Sequence, residues 1–325
     1  MNGPLSPDSW HYRQLNERAA GLSYLSNALI DLVREGHPIV AGTADLQYSN
    51  GLVRFAKAYP ERFIQFGISE QNMVSAAAGL ATTNLYPYVA TFASFLALLA
   101  CEQIRTDLAY SGLPVRLIGH HAGIALGFYG TSHHATEDLA IMRSIADLAV
   151  IAPADGPQLA AAIKATVLHP QPIYFRIGRG QEPNIYPDDV PFTLGKGIVH
   201  HEGHALTVIA CGTLVRPALE AVAALRGSGF SVGLIDMPTI KPIDRAAILE
   251  AARRSPLLLT VEEHNVIGGL GGAVAEVLAD AGVPARLIRH GIADEYSLIG
   301  PPTHLYRHYR LDADGIASVA REALG

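Results

Sequence analysis

Short apolar runs alternate along the chain with longer periodic stretches, and the alternation predicts an α/β protein. Residues 14–34 place Leu15, Leu22, Leu25, Leu29 and Leu32 on one side of a long amphipathic helix, after a loose lead-in over residues 1–12. Residues 38–42 read as a buried strand that ends in Thr43-Ala44-Asp45, and a short helix from Gly51 stops at Tyr59-Pro60. A strand over 62–66 and an Ala-rich buried helix over 73–81 come next. Further strands are expected at 87–90, 115–119, 148–151 and 173–175, with helices at 95–111, 136–146 and 155–168. Short strands rich in β-branched and aromatic residues, each followed by a helix, imply a parallel sheet covered on both faces.

Residues 181–191 hold three prolines and several acids and read as a linker. Beyond it lies a second α/β unit, with strands at 206–210, 231–235, 257–261 and 286–288. Its helices fall at 215–226, 245–253, 272–281 and 314–324. The expected fold is therefore two doubly wound α/β domains, 1–186 and a smaller 192–325.

Composition narrows the class. Of 325 residues, 49% are apolar and 17% charged, enough to fill two cores. A net charge of -6 gives no electrostatic reason to expect nucleic acid or an anionic membrane as partner. The longest apolar stretch, 88–101, is too short for a membrane span, and residues 1–10 lack a basic-then-apolar signal. Cys101 and Cys211 lie in separate segments, which fits buried free thiols in a reducing cytoplasm.

Three motifs stand just past strand ends, where open α/β sheets bind ligands. The first is Phe66-Gly67-Ile68-Ser69-Glu70-Gln71-Asn72-Met73. Ser69 can cap the helix after it, and Glu70 then sits in that helix's first turn, where unpaired N–H groups favour a carboxylate. Taken alone, Glu70 is an ordinary helix-start acid. The second motif is Thr91-Phe92-Ala93-Ser94-Phe95, and the third is Gly127-Phe128-Tyr129-Gly130-Thr131-Ser132-His133-His134.

In this order and spacing the motifs resemble those of the transketolase superfamily of thiamine diphosphate enzymes. The likeness runs along nearly the whole chain but only to the second half of a full-length transketolase, its pyrimidine-binding and C-terminal domains. It implies that Glu70 is the acid that hydrogen-bonds the aminopyrimidine, and that Phe92 and Phe95 wall the ring. Leu98 takes the place of a third aromatic. His121 and His133 match histidines of the substrate channel, which can donate to a ketone or its alkoxide. Arg18, Ser49 and Arg179 fall near phosphate-binding positions, although Arg18 also reads as a solvated helix-start residue. Asp45 matches an acid beside the thiazolium, or else caps the next segment. The family's Glu-Asp pair is replaced by Phe128-Tyr129, which implies a narrower channel, with Tyr129 near the substrate, and an altered sugar grip.

The Gly-Asp-Gly that holds the cofactor's diphosphate through Mg²⁺ does not occur in this sequence. The resemblance therefore implies a small subunit that pairs with a separate subunit carrying that motif, as a two-plus-two heterotetramer. The implied reaction moves a two-carbon ketol unit from a ketose, expected to be a sugar phosphate, to an aldehyde. The rival readings are the β subunit of a 2-oxoacid dehydrogenase and a non-catalytic scaffold.

Three further features are read as structural. The Gly268–Gly272 run lacks the third glycine of a dinucleotide fingerprint, because Val274 stands there. His201-Glu202-Gly203-His204 reads as a polar turn. His120, His121, His133 and His134 lack a known zinc-ligand spacing, since adjacent histidines in a strand point to opposite faces. His120 and His134 are expected either to be purely structural or to support the site from behind.

Overall fold

A computed structural model describes residues 20–325. Helix α1 (Ala20–Arg34) buries Leu22, Leu25, Leu29 and Leu32, as its periodicity predicts; Leu15 and Arg18 lie outside the described residues. The first sheet holds β1 (Ile39–Thr43), β2 (Phe63–Gln65), β3 (Tyr86–Phe92), β4 (Arg116–His120), β5 (Ala149–Ile151) and β6 (Ile173–Arg176). These strands are parallel and ordered β5-β6-β4-β3-β1-β2. Helices α2 (Val53–Ala58), α3 (Glu70–Ala81), α4 (Cys101–Gln103), α5 (Asp138–Ser144) and α6 (Gly156–Ala165) connect them.

The helix expected over 95–111 is not one α-helix. Its two ends, Phe95–Leu99 and Ile104–Ala109, are π-helical and flank the single turn of α4. The wider turn buries Leu96 and Ala97 while Leu98 and Leu99 face outward, 57% and 53% exposed. π-turns of this kind are rare and often mark functional sites.

The second sheet runs β12-β11-β8-β9-β7, where β7 (Ile198–His201), β8 (Leu206–Ala210), β9 (Val232–Asp236), β11 (Leu257–Asn265) and β12 (Arg286–Ile292) contribute. Its helices are α7 (Val215–Gly227), α8 (Arg245–Arg254), α9 (Leu270–Ala281), α10 (Pro302–His308) and α11 (Ala313–Leu324). β7 is an antiparallel edge strand, so His201 sits in a strand and only residues 202–204 form the expected turn. β10 (Thr239–Lys241) leaves the second unit and pairs antiparallel with β5 of the first sheet. One apolar cluster consequently spans both units, from Met73, Leu117 and Tyr174 to Ile209, Ile235 and Leu270.

Polar groups complete the junction. Arg176 is buried at the end of β6, three residues before Arg179. It pairs with Asp138 at 2.8 Å and donates to the carbonyls of Ala135 and Glu263. The Glu263 carboxylate accepts from Ile124 N, Thr213 Oγ1 and Tyr306 Oη at 2.7–2.8 Å. Glu262 caps α9 by accepting from Leu270 N and Gly271 N, which accounts for the glycine run as a helix start.

Candidate active site

Because β1, β2, β3, β4 and β6 are parallel, the loops that leave them share one edge of the sheet. Asp45 and Ser49 come after β1, Glu70 after β2, Phe95 after β3, His121 after β4 and Arg179 after β6.

Glu70 opens α3 and is 7% exposed. The Ser69 hydroxyl does not cap this helix. It donates to Phe66 O at 3.0 Å, and Ser69 contributes its own carbonyl to Met73 N. The partner of Glu70 is Thr91, whose Oγ1 donates to Oε1 at 3.1 Å. Thr91 lies inside β3 one residue before Phe92, so the strand that carries the aromatic wall also orients the carboxyl. The sequence motif contains Thr91, but only the pairing of strand and helix shows its use.

Phe92 is the centre of a ring cluster. Phe95 meets it edge-on at 5.3 Å, and the rings of His120, His121 and His133 lie 4.8, 5.4 and 5.4 Å away. His133 also packs on Phe95 at 5.2 Å and on Tyr129 at 4.9 Å. Offset and edge-on contacts of this kind are the favourable ones. Phe128 and Tyr129 form the outer rim and are exposed, 68% and 58%.

The two adjacent histidines do not alternate across a strand. β4 ends at His120, and His121 adopts a left-handed backbone with φ of 55°, held by His121 N donating to Gly178 O at 3.1 Å. The turn brings both rings to one side, with their Nδ1 atoms 2.7 Å apart. Burial, and secondly the neighbouring Arg179, push the His121 pKa down to about 3, while burial and then His121 hold His120 well below its ordinary value. Burial also lowers His133. His134 turns away to Ser297, with Nδ1 and Oγ 2.6 Å apart.

The remaining predicted residues are less tightly held. Arg179 N and Gly180 N donate to the Glu182 carboxylate at 2.8 and 2.7 Å, and Arg179 Nε is buried without a partner among the described residues. Asp45 is exposed with φ of 59°, and its N–H donates to Gln65 Oε1. It does not cap α2, whose N-cap position is Leu52, with the Leu52 N–H donating to Asn50 Oδ1. Ser49 lies half-buried in a turn closed by its N–H on Leu46 O.

The residues present fit thiamine diphosphate at its aminopyrimidine end. A buried carboxyl with a fixed donor stands at the ligand edge of the sheet, and that donor, Thr91, immediately precedes Phe92 of the aromatic cluster. Among the described residues no group of three or more His, Cys, Asp or Glu converges on a metal position, and no helix is long and apolar enough to cross a membrane.

Comparison with known proteins identifies the family. The transketolase pyrimidine-binding domain profile matches residues 19–183, and the transketolase C-terminal domain profile matches residues 195–316. The chain belongs to the transketolase family. It is 38% identical over 308 residues to an apulose-4-phosphate transketolase subunit of Phocaeicola vulgatus, covering 94% of this chain and 98% of that protein. It is 35% identical over 294 residues to the 6-deoxy-6-sulfo-D-fructose transketolase subunit SqwH of Clostridium sp., covering 90% and 91%. A solved split gene transketolase, described as an inactive beta4 tetramer, superposes with a TM-score of 0.86 at 39% identity, covering 95% of this chain and 99% of that one.

Proposed function

We propose that this chain is the small subunit of a split, thiamine diphosphate-dependent transketolase-like transferase. It moves a two-carbon ketol unit from a phosphorylated ketose to an aldehyde acceptor, in the cytoplasm. The observation that carries the reading is the buried Glu70 carboxyl, oriented by Thr91 beside the Phe92–Phe95 wall. The kinship with separate transketolase subunits supports it.

Residues 1–186 form the pyrimidine-binding unit and residues 192–325 the C-terminal unit. When bound, thiamine diphosphate would supply the nucleophilic carbon that carries the two-carbon unit between donor and acceptor. Glu70 shares a proton at the aminopyrimidine ring, a role that suits a carboxyl in a largely dry site. Phe92 and Phe95 stack on that ring and exclude water, and Leu98 adds an aliphatic contact at the outer side. His121 and His133 donate to the ketose oxygen and its alkoxide. Arg179, Ser49 and Arg18 take the phosphate, with an arginine guanidinium matched to its geometry. Asp45 would lie beside the thiazolium, and Tyr129 would narrow the mouth.

The diphosphate and Mg²⁺ are held by a partner subunit with Gly-Asp-Gly, in a two-plus-two heterotetramer. The kinship with separate transketolase subunits supports a shared site. The test is transfer activity of the reconstituted pair with wild-type and Glu70→Ala chains. Loss of activity in the variant supports the reading; unchanged activity would leave only a scaffold role.

A further inference from the structure

A 2.7 Å contact between His120 Nδ1 and His121 Nδ1 requires one proton between the two atoms. Both rings are buried, 0% and 4% exposed, and the lowered pKa values keep both neutral. A neutral imidazole carries one N–H, so two arrangements exist. If His121 donates, the proton of His120 must sit on Nε2. That atom is buried and has no partner among the described residues, so its N–H would be orphaned. If His120 donates, its Nε2 is a bare lone pair and the proton of His121 sits on Nε2. Unpaired buried N–H groups are rarer than under-used acceptors, and leaving one unpaired forfeits its full desolvation cost.

The surroundings favour the second arrangement. His121 Nε2 has no hydrogen-bond partner among the described residues, yet it is not among the fully buried unpartnered ring nitrogens, so unlike His120 Nε2 it stays open to water or a ligand. Phe92 packs on both rings and shields the bond between them from water. The left-handed turn at His121, fixed by Gly178 O, is what places the two Nδ1 atoms face to face.

We infer that His120 is a positioning residue that locks His121 in the Nε2–H tautomer, so that His121 meets the substrate as a neutral hydrogen-bond donor. The tautomer follows from the geometry, and its use against a ketose oxygen rests on the function proposed above. The motifs alone give His120 no such role, because a side chain on the opposite face of a strand could not reach His121.

The test is nitrogen-15 NMR of the histidine rings in the full 325-residue chain, at neutral pH. His120→Asn and His120→Asp provide the assignments and the perturbation. Asparagine places an amide donor where Nδ1 stood, and aspartate places an acceptor there. The wild type and His120→Asn should show His121 protonated at Nε2. His120→Asp should move that proton to Nδ1. In the reconstituted enzyme, kcat should fall on the order of 100-fold in His120→Asp with a smaller change in KM, and return toward wild type in His120→Asn. A wild-type His121 protonated at Nδ1 overturns the inference without any variant having to fold. An identical His121 tautomer and kcat in both variants overturns it too. The spectra need neither substrate nor partner, so a wrong tautomer refutes this inference alone, whereas an inactive wild-type pair refutes the proposed reaction.

Discussion

Thr91 Oγ1 donates to Glu70 Oε1 across 3.1 Å, joining the end of a central strand to the first residue of the neighbouring helix. Thr91 is fully buried, so no water replaces its hydroxyl if it is removed. Thr91→Val keeps the β-branched shape and deletes the donor. The expected result is a roughly fivefold lower kcat, the kinetic equivalent of about 1 kcal/mol. Thr91→Ser should retain most activity. Steady-state kinetics of the two variants in the assembled enzyme checks this.

The Arg176–Asp138 pair is a second dependency, of stability rather than chemistry. Both groups are buried, and Arg176 also serves carbonyls from the two units. Removing one partner leaves a buried charge uncompensated, so Asp138→Asn should cost about 3–5 kcal/mol. Urea unfolding reads this as a lower midpoint. A change below about 1 kcal/mol would show that the pair does not hold the units together.

Asp236 makes stability depend on pH. It is fully buried, accepts from Gln158 Nε2 and Tyr186 Oη on one oxygen, and has no partner on the other among the described residues. Burial raises its pKa to about 7, against the lowering effect of Tyr186 and Gln158; Asp155 nearby raises it further, and His200 reaches the same network through Tyr186. The protonated form is therefore preferred in the folded state. Folding holds a proton that the unfolded chain releases near pH 4. Stability contributed by this group is full below pH 4, falls as pH rises to about 7, and is level above. The difference between wild type and Asp236→Asn, measured by urea unfolding from pH 4.5 to 8, should shift against the wild type by on the order of 3 kcal/mol.

Phe128 and Tyr129 stand at the mouth with little burial, so replacing them should leave stability unchanged while altering substrate preference. Tyr129→Asp, which restores an acid at the rim, is expected to improve transfer between xylulose 5-phosphate and ribose 5-phosphate relative to wild type. Equal rates in both proteins, at ordinary transketolase levels, would show that the aromatic pair does not set the substrate.

The alternating α/β order is legible in the sequence because period-2 and helical patterns are local. Glu70, Phe92 and Phe95 are legible because they stand in short contiguous motifs. The partnership of His120 with His121 is not, since it depends on one left-handed backbone angle that no periodicity reports. Nor is β10, whose three residues become a strand only by meeting β5 across the junction. The Arg176–Asp138 pair is not legible either, because the two residues are remote along the chain. Ser69 matches a capping pattern, yet the turn at Phe66 claims its hydroxyl first.

The most direct test of the central claim is calorimetric titration of thiamine diphosphate with Mg²⁺. It should be run on this chain alone and on the chain assembled with a subunit carrying Gly-Asp-Gly. Tight binding in the assembly only, weakened by Glu70→Ala, is the predicted result. Tight binding by the chain alone would contradict a shared diphosphate site, and no binding in either would contradict the cofactor assignment itself.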